Sequence, residues 1–241
     1  MRDDVCMELA RAYNQNGDYK KALELLGNHT FVPAEGGEHA VAEQYMFAHH
    51  AIGRGLLSEK KFEKAVESFR KAQVLPQNLG AGLWHEARLV PHQYYEAVCL
   101  DGMGEKEKAE EIYRHIVCLT VDYFSNMHLP ELPWYQAMSH ARMGDGLKGR
   151  ALMDGCLRDW TKARDITDPG YFAATPFFMS YCDNAAEMRG AFYSYLLGFV
   201  YKFAGDNDKS GELFSKSAAL EPYNLWYSLE NAVINHNTTR H

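Results

Sequence analysis

Glu35 and Glu38 bracket the Gly36-Gly37 pair, and His39 follows directly. Two carboxylates so placed can act as general acid and base, or accept hydrogen bonds from sugar hydroxyls. Glu38 has a second reading as an acid in the first turn of a helix, where it complements the dipole. Glu35 has no such structural excuse. His49-His50, His85-Glu86 and His92 raise the question of a metal, but no His-Glu-x-x-His is present, and Pro91 interrupts the seven-residue step from His85 to His92. Histidines satisfied within the fold or by solvent are therefore expected, with no metal. No Gly-rich phosphate loop and no Gly-x-Ser-x-Gly elbow occurs. Neither a catalytic residue nor a cofactor is expected.

The elements that position these residues are set by repetition. Tyr13, Gly17, Tyr19 and Ala22 lead into Leu26; Phe62 and Ala65 lead into Phe69; Gly104 and Ala109 lead into Tyr113. Gly144 and Gly149 lead more loosely into Met153, and Gly198, Tyr201, Gly205 and Ser210 lead into Phe214 and Pro222. The pattern resembles the tetratricopeptide repeat, a pair of antiparallel helices crossing over small side chains. Ala10, Gly53, Ala97 and Gly198 are expected on the first helices at those crossings. First helices are predicted near 3–15, 40–57, 91–102, 131–143 and 186–204, and second helices near 18–27, 60–74, 105–119, 146–163 and 206–220. Pro222 is expected to open a capping helix to about 234, with Leu225, Trp226, Leu229 and Val233 as its apolar stripe. Cys99 and Cys118 are expected to be buried and inert.

The predicted fold is all-α: a right-handed α-solenoid of about five long tetratricopeptide-like helix pairs with a C-terminal cap, forming one domain over 1–241. Its units are 3–38, 39–90, 91–130, 131–184 and 185–222, with the cap at 222–234. By repeat register, Met7, Arg11, Asn14, His50, Arg54, Tyr94, Tyr195 and Phe199 line the groove. Arg11 and Arg54 are equivalents. Beside aromatic rings they are either a grip for a carboxylate, phosphate or sugar, or ordinary salt-bridged arginines. The Lys/Asn clamp by which tetratricopeptide domains hold chaperone C-termini is missing.

Equivalent positions Ala22, Ala65, Ala109, Gly149 and Ser210 are 43, 44, 40 and 61 residues apart, where a simple array steps by about 34. The excess falls after the second helices, in 28–38, 75–90, 120–130 and 164–184. Loops at one repeat position stack along one side of a solenoid, often the binding side. These segments carry Phe31, Trp84, Tyr123, Phe124, Tyr171, Phe172, Phe177 and Phe178. Such aromatics either cover the seam between repeats or form a ligand-contacting rim; Trp84, His85 and Tyr171 are the candidates for the latter.

The Pro33-x-Glu35-Gly36-Gly37-Glu38-His39 loop, the Leu-Pro-Gln-Asn-Leu-Gly segment at 75–80 and the Tyr-Phe-Ala-x-Thr-Pro segment at 171–176 extend the likeness. They resemble a bacterial family in which a β-rich domain of unknown function, similar to sugar-mutarotase folds, precedes a C-terminal array of long tetratricopeptide repeats. The β-rich half is absent from this chain. The resemblance implies a module that packs on, or extends the cleft of, a carbohydrate-active β-rich partner, and it carries over no catalytic residue.

Composition narrows the classes further. A net charge of −7, with no basic tract longer than the Lys60-Lys61 pair, argues against nucleic acid. The longest apolar stretch, 191–201, is about half a membrane span. Five widely spaced cysteines and an opening Met-Arg-Asp-Asp-Val without a signal core imply a reduced, cytoplasmic chain. The leading expectation is a non-catalytic interaction or scaffold module whose partner is another protein or domain. A homo-oligomer is the alternative occupant of any apolar docking patch. A carbohydrate-binding or cleft-forming module is the second reading, and a glycoside hydrolase using the paired glutamates the third.

Overall fold

A computed structural model describes residues 1–33, 38–83, 85–166 and 185–238. Among these residues the chain is all-α, with twelve α-helices, two short 3-10 turns and no strand. None of the described helices is long and apolar enough to cross a membrane. The residues group into two compact units, Met1–Gly146 and Leu147–His241.

In the first unit the hairpins are α1 (Asp3–Gln15) with α2 (Tyr19–Gly27), α3 (Glu38–Ser58) with α4 (Phe62–Ala72), and α5 (Val90–Gly102) with α6 (Lys106–Cys118). Each packs on the next in chain order, and α8 (Leu132–Arg142) follows on α6. The 3-10 turns η1 (Gln77–Leu79) and η2 (Glu86–Leu89) and the short helix α7 (Tyr123–His128) lie inside the inserted segments. The second unit holds α9 (Gly146–Arg164), the hairpin of α10 (Ala185–Ala204) with α11 (Asn207–Leu220), and α12 (Leu225–Thr238) packed on α11.

All five first helices stop the same way. A backbone N–H reaches back to the carbonyl five residues earlier: Asp18 to Tyr13 (2.8 Å), Lys61 to Leu56 (2.9 Å), Glu105 to Leu100 (2.9 Å), Asp145 to His140 (2.8 Å) and Asp206 to Tyr201 (3.0 Å). This closure satisfies carbonyls left open at a helix end, and it needs a left-handed residue just before the donor. Gly17, Gly104, Gly144 and Gly205 fill that place at φ 79–87°, and Lys60 fills it at φ 59°. The turn glycines seen in the sequence are therefore structural, and the second repeat makes the same turn against the preference of a side chain.

Beyond the turn, the paired helices approach over small residues. Ala10, Ala22, Ala65, Ala97, Ala109 and Ser210 are fully buried, and the Ser210 hydroxyl donates to the Gly198 carbonyl at 2.9 Å. Where the first helix has glycine, the second presents phenylalanine. A Cβ on Gly53 would sit 2.6 Å from the Phe69 ring, and one on Gly198 would sit 2.7 Å from Phe214. Where the first helix has Ala10 or Ala97, the second-helix residue is Leu26 or Tyr113, also fully buried or nearly so.

Two expectations need correction. Pro222 lies exposed in the turn before α12, which begins at Leu225. Asn224 caps it, its side-chain oxygen accepting from Trp226 and Tyr227 N–H at 3.2 and 3.3 Å. The buried face is Leu225, Tyr227, Leu229 and Glu230, with Trp226 only half-buried. The Tyr227 ring lies against Tyr195 of α10 (centroids 4.5 Å apart), and Glu230 receives Lys202 at 2.6 Å. Cys99 is buried, its thiol pushed up to about 12 by desolvation, but Cys118 ends α6 and is exposed.

Two substitutions test these devices. Lys60→Gly removes about 1–2 kcal/mol of left-handed strain against about 0.5–1 kcal/mol of added chain entropy, so the thermal midpoint should rise by about 1–3 °C. An unchanged or lower midpoint in a melting scan would refute that turn. Gly53→Ala should lower stability by about 1–3 kcal/mol despite alanine's higher helix propensity. Gly55→Ala, two residues on with nothing within 4 Å of the new Cβ, should stabilise by up to about 1 kcal/mol. Equal effects at the two positions in urea unfolding would sink the close-crossing account.

Candidate functional site

The first three insertions join into one edge of the first unit. In the first, the Asp3 carboxylate takes His29 Nε2 at 2.7 Å and the Val32 N–H at 2.8 Å, which holds it below the usual carboxylate range. Phe31 is thereby tucked under the first hairpin with Cys6, Ala10, Leu26 and Leu79. The second insertion locks onto the first: the Phe31 N–H donates to the Asn78 carbonyl at 2.8 Å. Asn78 Nδ2 donates to the carbonyls of Leu26 (2.8 Å) and His29 (2.7 Å), closing the C-terminal end of α2. Gly80, at φ 61°, passes so close to Phe31 that a Cβ would stand 2.6 Å from its carbonyl oxygen.

The third insertion is organised by α7. Its capping box pairs the Ser125 N–H with Asp122 Oδ1 (2.8 Å) and the Asp122 N–H with Ser125 Oγ (2.7 Å). That places His128 against His85, the rings stacked at 5.4 Å and 23°. His85 caps η2, its Nδ1 accepting the Ala87 N–H at 3.2 Å. The next turn of chain brings Arg88 to His39 at the start of α3, Nη1 to Nδ1 at 3.2 Å, and His39 lies 6.3 Å from His128. Both contacts fix tautomers, because a guanidinium and a backbone N–H can only donate; His39 and His85 carry their proton on Nε2. Burial first, then the charge of Arg88, lowers the His128 pKa. A cavity of about 240 Å³ opens beside His85, lined by Cys118, Thr120, Asp122 and Ser125 among others.

Of the residues expected from sequence, His85 belongs to this edge. Glu35, Trp84 and Tyr171 lie outside the described residues, and Glu38 opens α3 with its side chain outside them too. The groove positions Asn14, His50, Tyr94 and Tyr195 are at most 4% exposed, inside the protein and not on an open surface. Neighbouring helices cover them: Asn14 Nδ2 donates to the Gln44 carbonyl and Oε1, both at 3.0 Å, and Tyr94 sits among Tyr95, Tyr113, Trp134 and Tyr135. Arg11 pairs with Glu8 at 3.0 Å, and Arg54 lies 4.2 Å over the Tyr95 ring. Arg54 is fifteen residues along α3 from His39, roughly 22 Å, so it does not share the edge. Arg88 and His128 were missed. Only their presence within inserted segments marked them, and their contacts span residues 39, 88 and 128.

Behind the edge, α3 and α5 meet through a buried histidine pair. His50 Nδ1 and His92 Nδ1 are 3.1 Å apart, so one donates and the other accepts, both rings neutral. Phe69 and Tyr95 meet His50 edge-on at 5.6 and 5.4 Å. Desolvation, then His92 and Arg54, hold His50 well below its ordinary pKa. His92 is lowered to about 3 and His49 to about 4, each mainly by burial.

Three comparisons bear on the chain. A tetratricopeptide-repeat family model matches residues 3–26, the α1–α2 hairpin. No curated protein matches. Among solved structures, the chain is similar to a putative kinesin light chain of Podosopora anserina with nearly identical TPR-like repeats, at 16% identity and TM-score 0.36, covering 90% of this chain and 94% of that one. A single-substitution variant of that protein matches at 16% identity and TM-score 0.37, covering 90% and 93%.

The histidine pair gives a pH prediction. The folded pKa values lie below the unfolded value near 6.5, so the contribution is fully present above that pH and is lost as pH falls toward the folded values. Unfolding free energy should drop by roughly 1–2 kcal/mol for each of His50 and His92 between about pH 6.5 and 5. Urea titrations across that window should show the slope, and His50→Leu/His92→Leu should reduce it, with His49 supplying the remainder. Equal slopes in the two proteins would rule the pair out as its source.

Proposed function

We propose that the chain is a non-catalytic protein-interaction module of the tetratricopeptide type, with the insertion edge of its first unit as the working surface. The observation that carries this reading is apolar exposure. Val32 (73% exposed), Leu83 (42%), Val121 (44%), Tyr123 (74%) and Met127 (55%) come from three separate insertions, and those insertions are tied together by the contacts of Asn78, His85 and His128. Apolar side chains exposed along an edge whose segments are tied together favour docking of another protein. The helix-pair pattern in α1–α2 supports the class, since such repeats commonly serve as protein-binding scaffolds. The free thiols of Cys6, Cys99, Cys118 and Cys156 suit a cytoplasmic setting.

The finer reading, a β-rich carbohydrate-active domain as the partner, rests on the sequence segments at 33–39, 75–80 and 171–176. A sugar-contacting module would instead use Glu35, Trp84 and Tyr171. A photo-crosslinking residue at Tyr123 should give one dominant protein adduct by mass spectrometry, and the same residue at Lys20, exposed on α2, should give none. Adducts of equal yield at both places would defeat the reading. A saturable thermal shift with an oligosaccharide panel, lost in Trp84→Ala, would replace it with the carbohydrate module.

A further inference from the structure

Arg88 differs from most arginines of the first unit. Arg2, Arg11, Arg70, Arg114 and Arg142 each have a carboxylate within 4.0 Å. Arg88 is half-buried, and among the described residues its partner is a neutral imidazole nitrogen, His39 Nδ1. Around it stand His39 from α3, His85 from its own turn and His128 from α7, each half-buried and reachable from solvent. A guanidinium withdrawn partly from water without a counter-charge is costly, and an anion arriving there removes that cost. Glu86 and Asp122 line the cavity beside His85, and among the described residues of this cluster the fixed positive charge is that of Arg88, on a chain of net charge −7.

We infer that the edge between η2 and α7 binds an acidic peptide segment of the partner, with Arg88 taking a carboxylate flanked by His85 and His128, and Tyr123 and Met127 taking apolar side chains beside it. This rests on the protein-interaction reading of the same edge. Charge favours carboxylate over phosphate. One Nη of Arg88 is committed to His39, which leaves a single edge of the planar fork for two parallel hydrogen bonds to an oxyanion. One fixed positive charge balances a monoanion and leaves a phosphate dianion half-neutralised. His85 adds a donor of set direction, because its Nδ1 is occupied by the Ala87 N–H and its proton is on Nε2. The apolar contacts follow from position: Tyr123 and Met127 sit on the same short helix as His128 and are 74% and 55% exposed.

The test uses a short fluorescein-labelled peptide of alternating Leu and Glu, with its Leu–Gln counterpart, followed by anisotropy at constant ionic strength on the full chain. The acidic peptide should bind at least about tenfold more tightly than the neutral one, and Arg88→Gln should erase that difference. Lys20→Gln, which removes an exposed charge on α2, should leave it unchanged. In the unaltered protein the imidazole resonances of His85 and His128 should shift with the acidic peptide, an outcome that does not depend on Arg88→Gln folding. Equal binding of the two peptides, a loss under twofold in a folded Arg88→Gln, or still His85 and His128 resonances would each overturn the inference. Displacement of the peptide by inorganic phosphate at lower concentration than acetate would overturn the choice of carboxylate. If neither peptide binds while the Tyr123 crosslink persists, this inference fails and the interaction reading stands; loss of the crosslink defeats the latter instead.

Discussion

The close crossing of paired helices is the constraint on which the rest depends. A small residue on the first helix lets the second lay a ring or branched side chain against bare backbone, as Phe69 does at Gly53 and Phe214 at Gly198. A hairpin so built has its two helices in contact but still exposes one apolar face. That face is buried only when another hairpin arrives, so within the first unit the packing repeats in chain order and each hairpin touches the next. Because every turn within a hairpin is closed by the same backbone bond, extra chain has no room there. It accumulates between hairpins, where a longer loop adds only a few tenths of a kcal/mol in closure entropy. The insertion edge is the geometric consequence.

The same packing explains why the positions facing a groove in shorter repeats are interior here. Asn14 and Tyr94 lie on α1 and α5, of 13 residues each, and His50 and Tyr195 on α3 and α10, of 21 and 20 residues. In each case a side chain of a neighbouring helix covers the position, whatever the helix length. Two polar pairs there meet across the seam: Asn14 with Gln44, and His50 with His92. Arg70 and Gln73 of the α4 end likewise converge on the nearly buried Glu96 of α5, at 2.7 and 2.8 Å. These pairings hold neighbouring repeats in register, and a histidine in such a place ties that register to pH.

The helices were legible because the turn glycines and the apolar spacing are local signals: α1 and the start of α9 fall where the pattern puts them. Lys60 shows that the turn is demanded by the hairpin and not by the residue, since the turn is made where the glycine signal fails. Pro222 misled for a related reason. It marks a permitted helix start, but Asn224 offers two hydrogen bonds to open N–H groups and Pro222 offers none. The interior of the insertions was opaque. Asn78 capping α2, or Arg88 reaching His39, links residues 49–52 positions apart in the chain, and no periodicity carries that information. The candidate site was therefore legible only as a side of the molecule.

That division has a functional meaning. Interactions that fix the repeats lie at the crossings and seams, while Arg88, His85 and His128 hang on the caps of η2 and α7, which are fixed by their own short-range bonds. A side chain on such an edge can change without disturbing a helix crossing, so recognition and stability draw on different residues. The half-buried guanidinium of Arg88 is the exception. Its position among neutral rings yields little to the fold, and its charge is of most use when something outside the described residues supplies the carboxylate.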